Sequence, residues 1–280
     1  MRIQFTKMHG LGNDFVVINA IDQSISLNKE QIRFMGDRHF GLGFDQLLLI
    51  ENSDVEDADF RYRIYNADGG EVEQCGNGAR CFARFVIDEG LTNKTEIPVI
   101  TQAGKIILKV EDDENVTVNM GAPELSPEKL PFISAQQAVS YTLKLLQESV
   151  EFCAISMGNP HAVILVDDID TAPVEKIGKA LQANSHFPQS VNVGFMQVID
   201  RSHVSIRVYE RGVGETQACG TGACAAIVAG RLLGLLDETV NAKLIGGELS
   251  ISWQGDANDT AQPVMMTGPT ATVFKGTITL

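Results

Sequence analysis

The chain has 280 residues, 44% apolar and 21% charged, enough for a sizeable core and, at roughly 100–150 residues per domain, for two domains. Its 36 acidic residues outnumber the 22 basic ones, and the net charge of −14 argues against nucleic acid or an anionic membrane as partner, because both need clustered Lys and Arg. The amino terminus MRIQFTKMHG has no apolar run of the signal-peptide kind, and the most apolar long stretch, 218–236, contains Arg231 and several glycines and does not read as a membrane span.

In chain order, Asn28 can cap a helix over Lys29–Arg38. A strand pattern at Phe60–Tyr65 precedes Cys75, after which a helix runs over Gly76–Glu89. Strands follow at Ile97–Thr101, Lys105–Val110 and Val116–Met120. The segment GAPELSPEKLP, Gly121–Pro131, reads as a boundary. Beyond it come strands at Phe152–Ser156 and Ala162–Val166, a helix opened by Pro173 and running through Ala183, and strands at Val191–Ile199 and His203–Tyr209. A helix over Gly220–Leu235 starts directly after Cys219, and a strand at Leu249–Trp253 follows. The last run, Ala271–Leu280, comes after Gly268-Pro269 and is expected to cross back to the first half.

The chain also repeats itself. RIYNADGGEVEQCGNGA, from Arg63, lies over RVYERGVGETQACGTGA, from Arg207, at an offset of 144 residues (75 to 219). Gly43–Gln46 (GFDQ) is echoed by Gly194–Gln197 (GFMQ) at 151, and Gly12-Asn13 by Gly158-Asn159 at 146. Three echoes in one order imply a duplication. The second post-cysteine helix, GTGACAAIVAGRLLGLL, is small or apolar nearly all round and demands burial on every side. The expected fold is therefore α/β, of the α+β type: two pseudo-symmetric domains, each a strand-rich, barrel-like shell around a central helix. The halves are 1–121, joined by the strand 270–280, and 122–269.

In both repeats a glycine-bearing turn leads to Cys, then Gly-x-Gly-Ala, then a helix. The N–H groups of a first helical turn and the helix dipole favour negative charge. They promote a thiolate and also seat a carboxylate oxygen. Two such starts can serve one small carboxylate, with a thiol for each face of its α-carbon; two glycine-flanked cysteines can also be packing. Cys81, Cys153 and Cys224 read as core. The odd count of five cysteines fits reduced, cytoplasmic thiols. No Cys-x-x-Cys spacing supports zinc, so no metal is expected, and neither GxxxxGK[ST] nor a strand-led GxGxxG offers a nucleotide loop.

KMHGLGNDF (Lys7–Phe15), GFDQLL (Gly43–Leu48), YNADGGEVEQCGNGARC (Tyr65–Cys81), SMGNPHAV (Ser156–Val163) and YERGVGETQACGTGACA (Tyr209–Ala225) resemble the diaminopimelate epimerases, in order and over almost the whole chain. The resemblance implies a cofactor-independent enzyme that interconverts L,L- and meso-diaminopimelate for lysine and peptidoglycan, and a homodimer. It implies Cys75 and Cys219 as acid and base, with His161 and Glu210 tuning them. It implies substrate contacts at Asn13, Gln46, Asn66, Gly76, Asn77, Asn159, Asn192, Glu210, Arg211, Gly220 and Thr221. A bidentate Arg suits a distal carboxylate, and amide oxygens with a Glu suit ammonium groups.

Plainer readings stand beside these. His161 after Pro160 can satisfy a turn, and Asn13 and Asn159, each after a glycine, can serve left-handed turns. Tyr65 and Tyr209, at equivalent places, read as core. Asn66-Ala67 against Glu210-Arg211 is where the repeats part, as unequal substrate ends require. Thr221 stands where many relatives have Ser, and Phe274 where some have Tyr. The rival functions are a proline or hydroxyproline racemase or epimerase, lacking the Glu210-Arg211 pair, and a redox-sensing thiol protein, for which the distal polar set has no purpose.

Overall fold

The computed structural model describes residues 1–72, 75–102, 104–113, 115–145 and 148–280. Two compact units emerge: Met1–Asn119 with Thr267–Leu280, and Met120–Met266.

The first unit comprises β1 (Arg2–Gly10), β2 (Asn13–Asn19), α1 (Lys29–Gly36), β3 (Gln46–Asn52), β4 (Phe60–Asn66), β5 (Glu71–Val72), α2 (Gly76–Asp88), β6 (Glu96–Thr101), β7 (Gly104–Val110) and β8 (Val116–Asn119). The second comprises β9 (Tyr141–Leu145), β10 (Glu148–Ser156), β11 (Pro160–Leu165), α3 (Val174–Gln182), β12 (Asn192–Asp200), β13 (His203–Glu210), β14 (Gly214–Thr216), α4 (Gly220–Leu232), β15 (Thr239–Leu244) and β16 (Gly247–Trp253). Strands β17 (Val264–Gly268) and β18 (Ala271–Thr279) close the chain, and β18 pairs antiparallel with β1, from Arg2↔Thr279 to His9↔Ala271.

The two units share one pairing scheme. In the first, β1–β2 is antiparallel, β2–β3 parallel, β3–β4 antiparallel and β4–β6 parallel. In the second, β10–β11, β11–β12, β12–β13 and β13–β15 repeat those senses in that order. The outer antiparallel partner is β18 for β1 and β9 for β10. The fold is thus mixed α/β, strand-rich and duplicated.

Helix α2 packs against β1, β2, β3, β7 and β8, and α4 against β10, β11, β12, β13 and β16. From Gly222 to Gly230 every α4 residue is buried, the environment its small, apolar sequence demands. Helices α1 and α3 cover the opposite sheet faces: Ile32 and Met35 pack with Val16, Ile18, Leu47 and Leu49, and Val174, Ile177 and Leu181 with Phe152, Phe187 and Phe195. Covered on both faces, β2 and β3 read as unbroken apolar runs rather than alternations.

Two helices stop earlier than their patterns suggest. Helix α1 ends at Gly36 because Asp37 turns extended and its carboxylate takes the N–H groups of His39 and Phe40. Helix α4 ends at Leu232 because Gly234 takes φ +74° and Leu235 N–H turns back to the Gly230 carbonyl.

The GFDQ/GFMQ echo is not structural. Gly43 sits in the turn before β3 at φ +68°, whereas Gly194 lies inside β12. Parallel register sets Phe15 against Gln46 in one unit and His161 against Asn192 in the other, so the structural counterpart of Gln46 is Asn192. The Arg and Glu repeats are structural. Arg63 grips Glu71 at 2.8 and 2.8 Å, and Arg207 grips Glu215 at 2.6 and 3.0 Å, each pinning a short strand just ahead of a helix start. Glu73 and Gln74, within the same repeat, lie outside the described residues.

Candidate active site

Cys75 and Cys219 occupy the same position: each is the N-cap of its unit's central helix, in extended backbone conformation. Their carbonyls accept the first helical bonds, from Ala79 N–H at 2.8 Å and Ala223 N–H at 2.9 Å. The third residue of each motif is glycine for room. A Cβ at Gly78 would come to 3.2 Å from Phe15 and 3.3 Å from Leu48; one at Gly222 would come to 3.0 Å from Val208 and 3.2 Å from the Cys219 sulfur.

The thiols see different neighbours. Cys75 is partly exposed; its Sγ accepts Gly78 N–H at 3.4 Å and faces Asn13 Oδ1 at 3.8 Å. Asn77, buried, donates from Nδ2 to that same Oδ1 at 3.2 Å, and Arg80 holds Asn77 Oδ1 at 2.9 Å. Cys219 is buried, with Thr221 Oγ1 3.6 Å from Sγ. Burial, then the negative charge of Glu210, pushes the Cys219 thiol well above its ordinary range, against the opposing pull of the Thr221 hydroxyl and the Gly222 N–H. Cys219 is therefore a thiol at neutral pH. Glu210 itself is oriented by Thr216, whose hydroxyl donates to Oε1 at 2.5 Å.

Neither Asn13 nor Asn159 takes the left-handed conformation itself. Gly12 and Gly158 take the left-handed conformation, at φ +86° and +88°, leaving the Asn side chains to other work. Asn159 Oδ1 meets His161 Nε2 at 3.0 Å. His161 is fully buried, and burial, then the nearby Arg211 charge, lowers its pKa to about 3, so the imidazole is neutral. Its Nδ1 has no partner among the described residues.

The remaining residues make contacts within their own units. In the first unit Gln46 Nε2 donates to Asn66 Oδ1 at 2.9 Å, leaving Gln46 Oε1 buried without a donor among the described residues. In the second, buried Asn192 accepts Arg211 N–H at 2.9 Å and donates to the Pro160 carbonyl at 3.3 Å, while Arg211 NH1 donates to the Gln189 carbonyl at 2.9 Å. Each unit thus brings its own share of the candidate residues together: Asn13, Gln46, Asn66, Cys75, Gly76 and Asn77 in one, Asn159, His161, Asn192, Glu210, Arg211, Cys219, Gly220 and Thr221 in the other. Cys81, Cys153 and Cys224 are buried in the core. Burial pushes Cys81 up to about 12 and Cys153 up to about 11, so neither is a reactive thiolate. Tyr65 and Tyr209 pack against the outer cores, Tyr209 directly over Gly178.

Sequence reasoning missed Lys7, Asp14, Arg38 and Asp45. Lys7 and Asp14 stand in KMHGLGNDF and Asp45 in GFDQLL, but only the fold joins them. Arg38 donates to both Asp14 oxygens at 3.0 and 2.8 Å and to Asp45 at 2.7 Å, and Lys7 reaches Asp14 at 2.5 Å. The Arg38 and Lys7 hydrogen bonds outweigh partial burial and hold the Asp14 carboxyl far below the usual carboxylate range. Among the described residues no group of three or more His, Cys, Asp or Glu is arranged to hold a metal, and no helix is long and apolar enough to cross a membrane.

A family model described as diaminopimelate epimerase matches residues 5–126 and 153–273. A diaminopimelate epimerase of Nitrosomonas europaea is 56% identical over 280 residues, covering 100% of both chains. That of Thioalkalivibrio sulfidiphilus is 58% identical over 279 residues, covering 99% of each. Among solved structures, a hydroxyproline epimerase from Agrobacterium vitis, with bound trans-4-hydroxy-L-proline, has a TM-score of 0.70 at 16% identity, covering 99% of this chain and 92% of that one. At that identity the likeness concerns the fold.

Proposed function

The chain belongs to the diaminopimelate epimerase family of isomerases, and from that premise we propose that it epimerises L,L-2,6-diaminopimelate to the meso form by two-thiol acid–base chemistry, without a cofactor. The observation that carries the reading is the equivalence of Cys75 and Cys219, each capping the buried central helix of a like-folded half.

In one direction Cys75 as thiolate takes the α-proton, and the C–H electron pair moves toward the carboxylate. The N–H groups of the helix starts, among them those of Gly76, Gly220 and Thr221, stabilise the developing negative charge. The Cys219 thiol delivers its proton to the opposite face, leaving thiol at 75 and thiolate at 219. The upward push on Cys219 suits it to begin as the acid, and Glu210 is placed to exchange the proton when the direction reverses. The two thiols titrate as one system. The Gln46–Asn66 and Asn192–Arg211 pairs supply unequal polar ends, as an amino acid with a second ammonium and carboxylate requires.

The same reading makes the enzyme a step toward lysine and peptidoglycan and places it in the cytoplasm, where both thiols stay reduced. It also makes it a homodimer. Strand β18, long and exposed at Val273 and Phe274, where the Phe274 ring packs edge-on against Phe5, is the surface that supports this.

Incubation with L,L-diaminopimelate in heavy water tests the reading. Meso product carrying deuterium at a single α-carbon is expected. Absence of exchange by reduced, folded protein would end it, and exchange of proline instead would favour the racemase reading.

A further inference from the structure

Asn13 is anchored by residues that the reaction above gives no task. Its Nδ2 donates to Asp45 Oδ2 at 2.9 Å, and the same oxygen accepts Asp14 N–H at 3.1 Å. Asp45 N–H answers by donating to Asp14 Oδ1 at 2.9 Å and to the Asp14 carbonyl at 3.0 Å. Arg38 bridges both carboxylates, and Lys7, nearly buried, holds Asp14 and the Gly43 carbonyl. A carboxylate only accepts, so Asp45 can face only the NH2 end of the Asn13 amide. The oxygen end is then the one presented to Cys75 and to Asn77 Nδ2.

We infer that Asp45 is a positioning residue for the reaction: clamped by Arg38 and Asp14, its carboxylate fixes the Asn13 side chain with the amide oxygen, and never the amide nitrogen, toward Cys75. The inference rests on the reading of Cys75 as an acid–base group and Asn13 as a substrate contact. An oxygen beside the thiol accepts S–H and disfavours the thiolate, whereas a nitrogen would donate to the thiolate and favour it. The same oxygen can accept from a substrate ammonium, which a reversed amide could not. An ammonium that engages it lifts the restraint on Cys75 at the moment the base is needed.

Among the described residues, Tyr62 and Cys81 feel the charge of Cys75, and neither competes for this role. Tyr62 from β4 and Cys81 from α2 are raised, first by burial and further by charge on Cys75, and stay neutral.

The test compares the full-length protein with Asp45→Asn and with the exchanged pair Asn13→Asp/Asp45→Asn. Cys75 alkylation by iodoacetamide is followed against pH and mapped by peptide mass, alongside KM and kcat. In Asp45→Asn the amide at 13 is free to reverse. The alkylation midpoint is expected to fall by about one pH unit and KM to rise about tenfold. The exchanged pair, unchanged in net charge, returns an oxygen to Cys75, so its midpoint should stand at or above wild type. A merely structural role would lower kcat without moving the midpoint. A folded Asp45→Asn with an unmoved midpoint overturns the inference. If that variant does not fold, a midpoint below wild type in the exchanged pair does the same. Wild-type protein that fails to epimerise while the midpoints shift as expected would remove the function and leave the positioning intact; epimerisation without the shifts would do the reverse.

Discussion

The two helix starts have one backbone and two chemistries. At Cys75 the sulfur is partly open, with a backbone N–H and the Asn13 amide oxygen among its neighbours. At Cys219 it is buried and meets the charge of Glu210. One asparagine is held by a carboxylate, Asp45, and its counterpart Asn159 by a neutral imidazole. Duplication kept what positions a thiol at a helix start: the cap, the second glycine and the Arg–Glu staple on the preceding hairpin. It changed the groups around each sulfur, as the proposed reaction with one proton donor and one acceptor requires.

Glu210→Gln should break that difference most strongly. Without the carboxylate, the alkylation midpoint of Cys219 is expected to fall, though not to the ordinary value, because burial remains the larger push. On the proposed mechanism the group that exchanges the Cys219 proton is also lost, so kcat should drop by about 10²-fold, measured in both directions. Unchanged kcat with an unchanged Cys219 midpoint would mean that Glu210 does not distinguish the halves.

A smaller effect separates the glycines. Gly222→Ala puts a methyl 3.2 Å from the Cys219 sulfur and 3.0 Å from Val208, whereas Gly78→Ala presses on Phe15 and Leu48, with the Cys75 Cβ at 3.5 Å. Both should destabilise by about 1–3 kcal/mol in urea unfolding. Only Gly222→Ala should also shift the alkylation midpoint of its cysteine. Equal midpoints in both variants would show that the motif glycine serves packing alone.

Sequence shows the parts of this comparison that are local. A cysteine, two glycines and an alanine ahead of a small or apolar run define the caps and both central helices within a few residues. The register-dependent parts are not local. GFDQ and GFMQ agree in letters, yet strand register makes Asn192 the counterpart of Gln46, because one glycine serves a turn and the other a strand interior. The Lys7–Asp14–Arg38–Asp45 cluster draws on three separated segments that meet only when β2 and β3 align in parallel. The same alignment pairs apolar Phe15 with Gln46 and His161 with Asn192, so the imidazole of one half stands where the other has a phenyl ring, as the Gly12-Asn13 and Gly158-Asn159 echo at offset 146 implies.

That exchange of Phe15 for His161 gives the smallest expected effect. Unfolded, the imidazole binds a proton below about its ordinary 6.5; folded, buried and close to Arg211, it does not until about 3. Between those values the unfolded chain holds more protons, so stability rises with pH across the window and is lost as pH falls through it. One such group contributes a slope of at most about 1.4 kcal/mol per pH unit. His161→Phe should flatten the dependence by up to that amount between about pH 4 and about pH 6, measured by urea midpoints, while the first half, whose phenyl ring cannot titrate, contributes nothing to compare. The substitution also takes away the partner of Asn159 Oδ1, so it should raise KM even near neutral pH, where the imidazole's charge is unchanged. A KM rise without a flatter slope would make His161 an anchor for Asn159 whose protonation is irrelevant to folding. A flatter slope without a KM rise would make it a buried neutral group with no bearing on how that asparagine meets substrate.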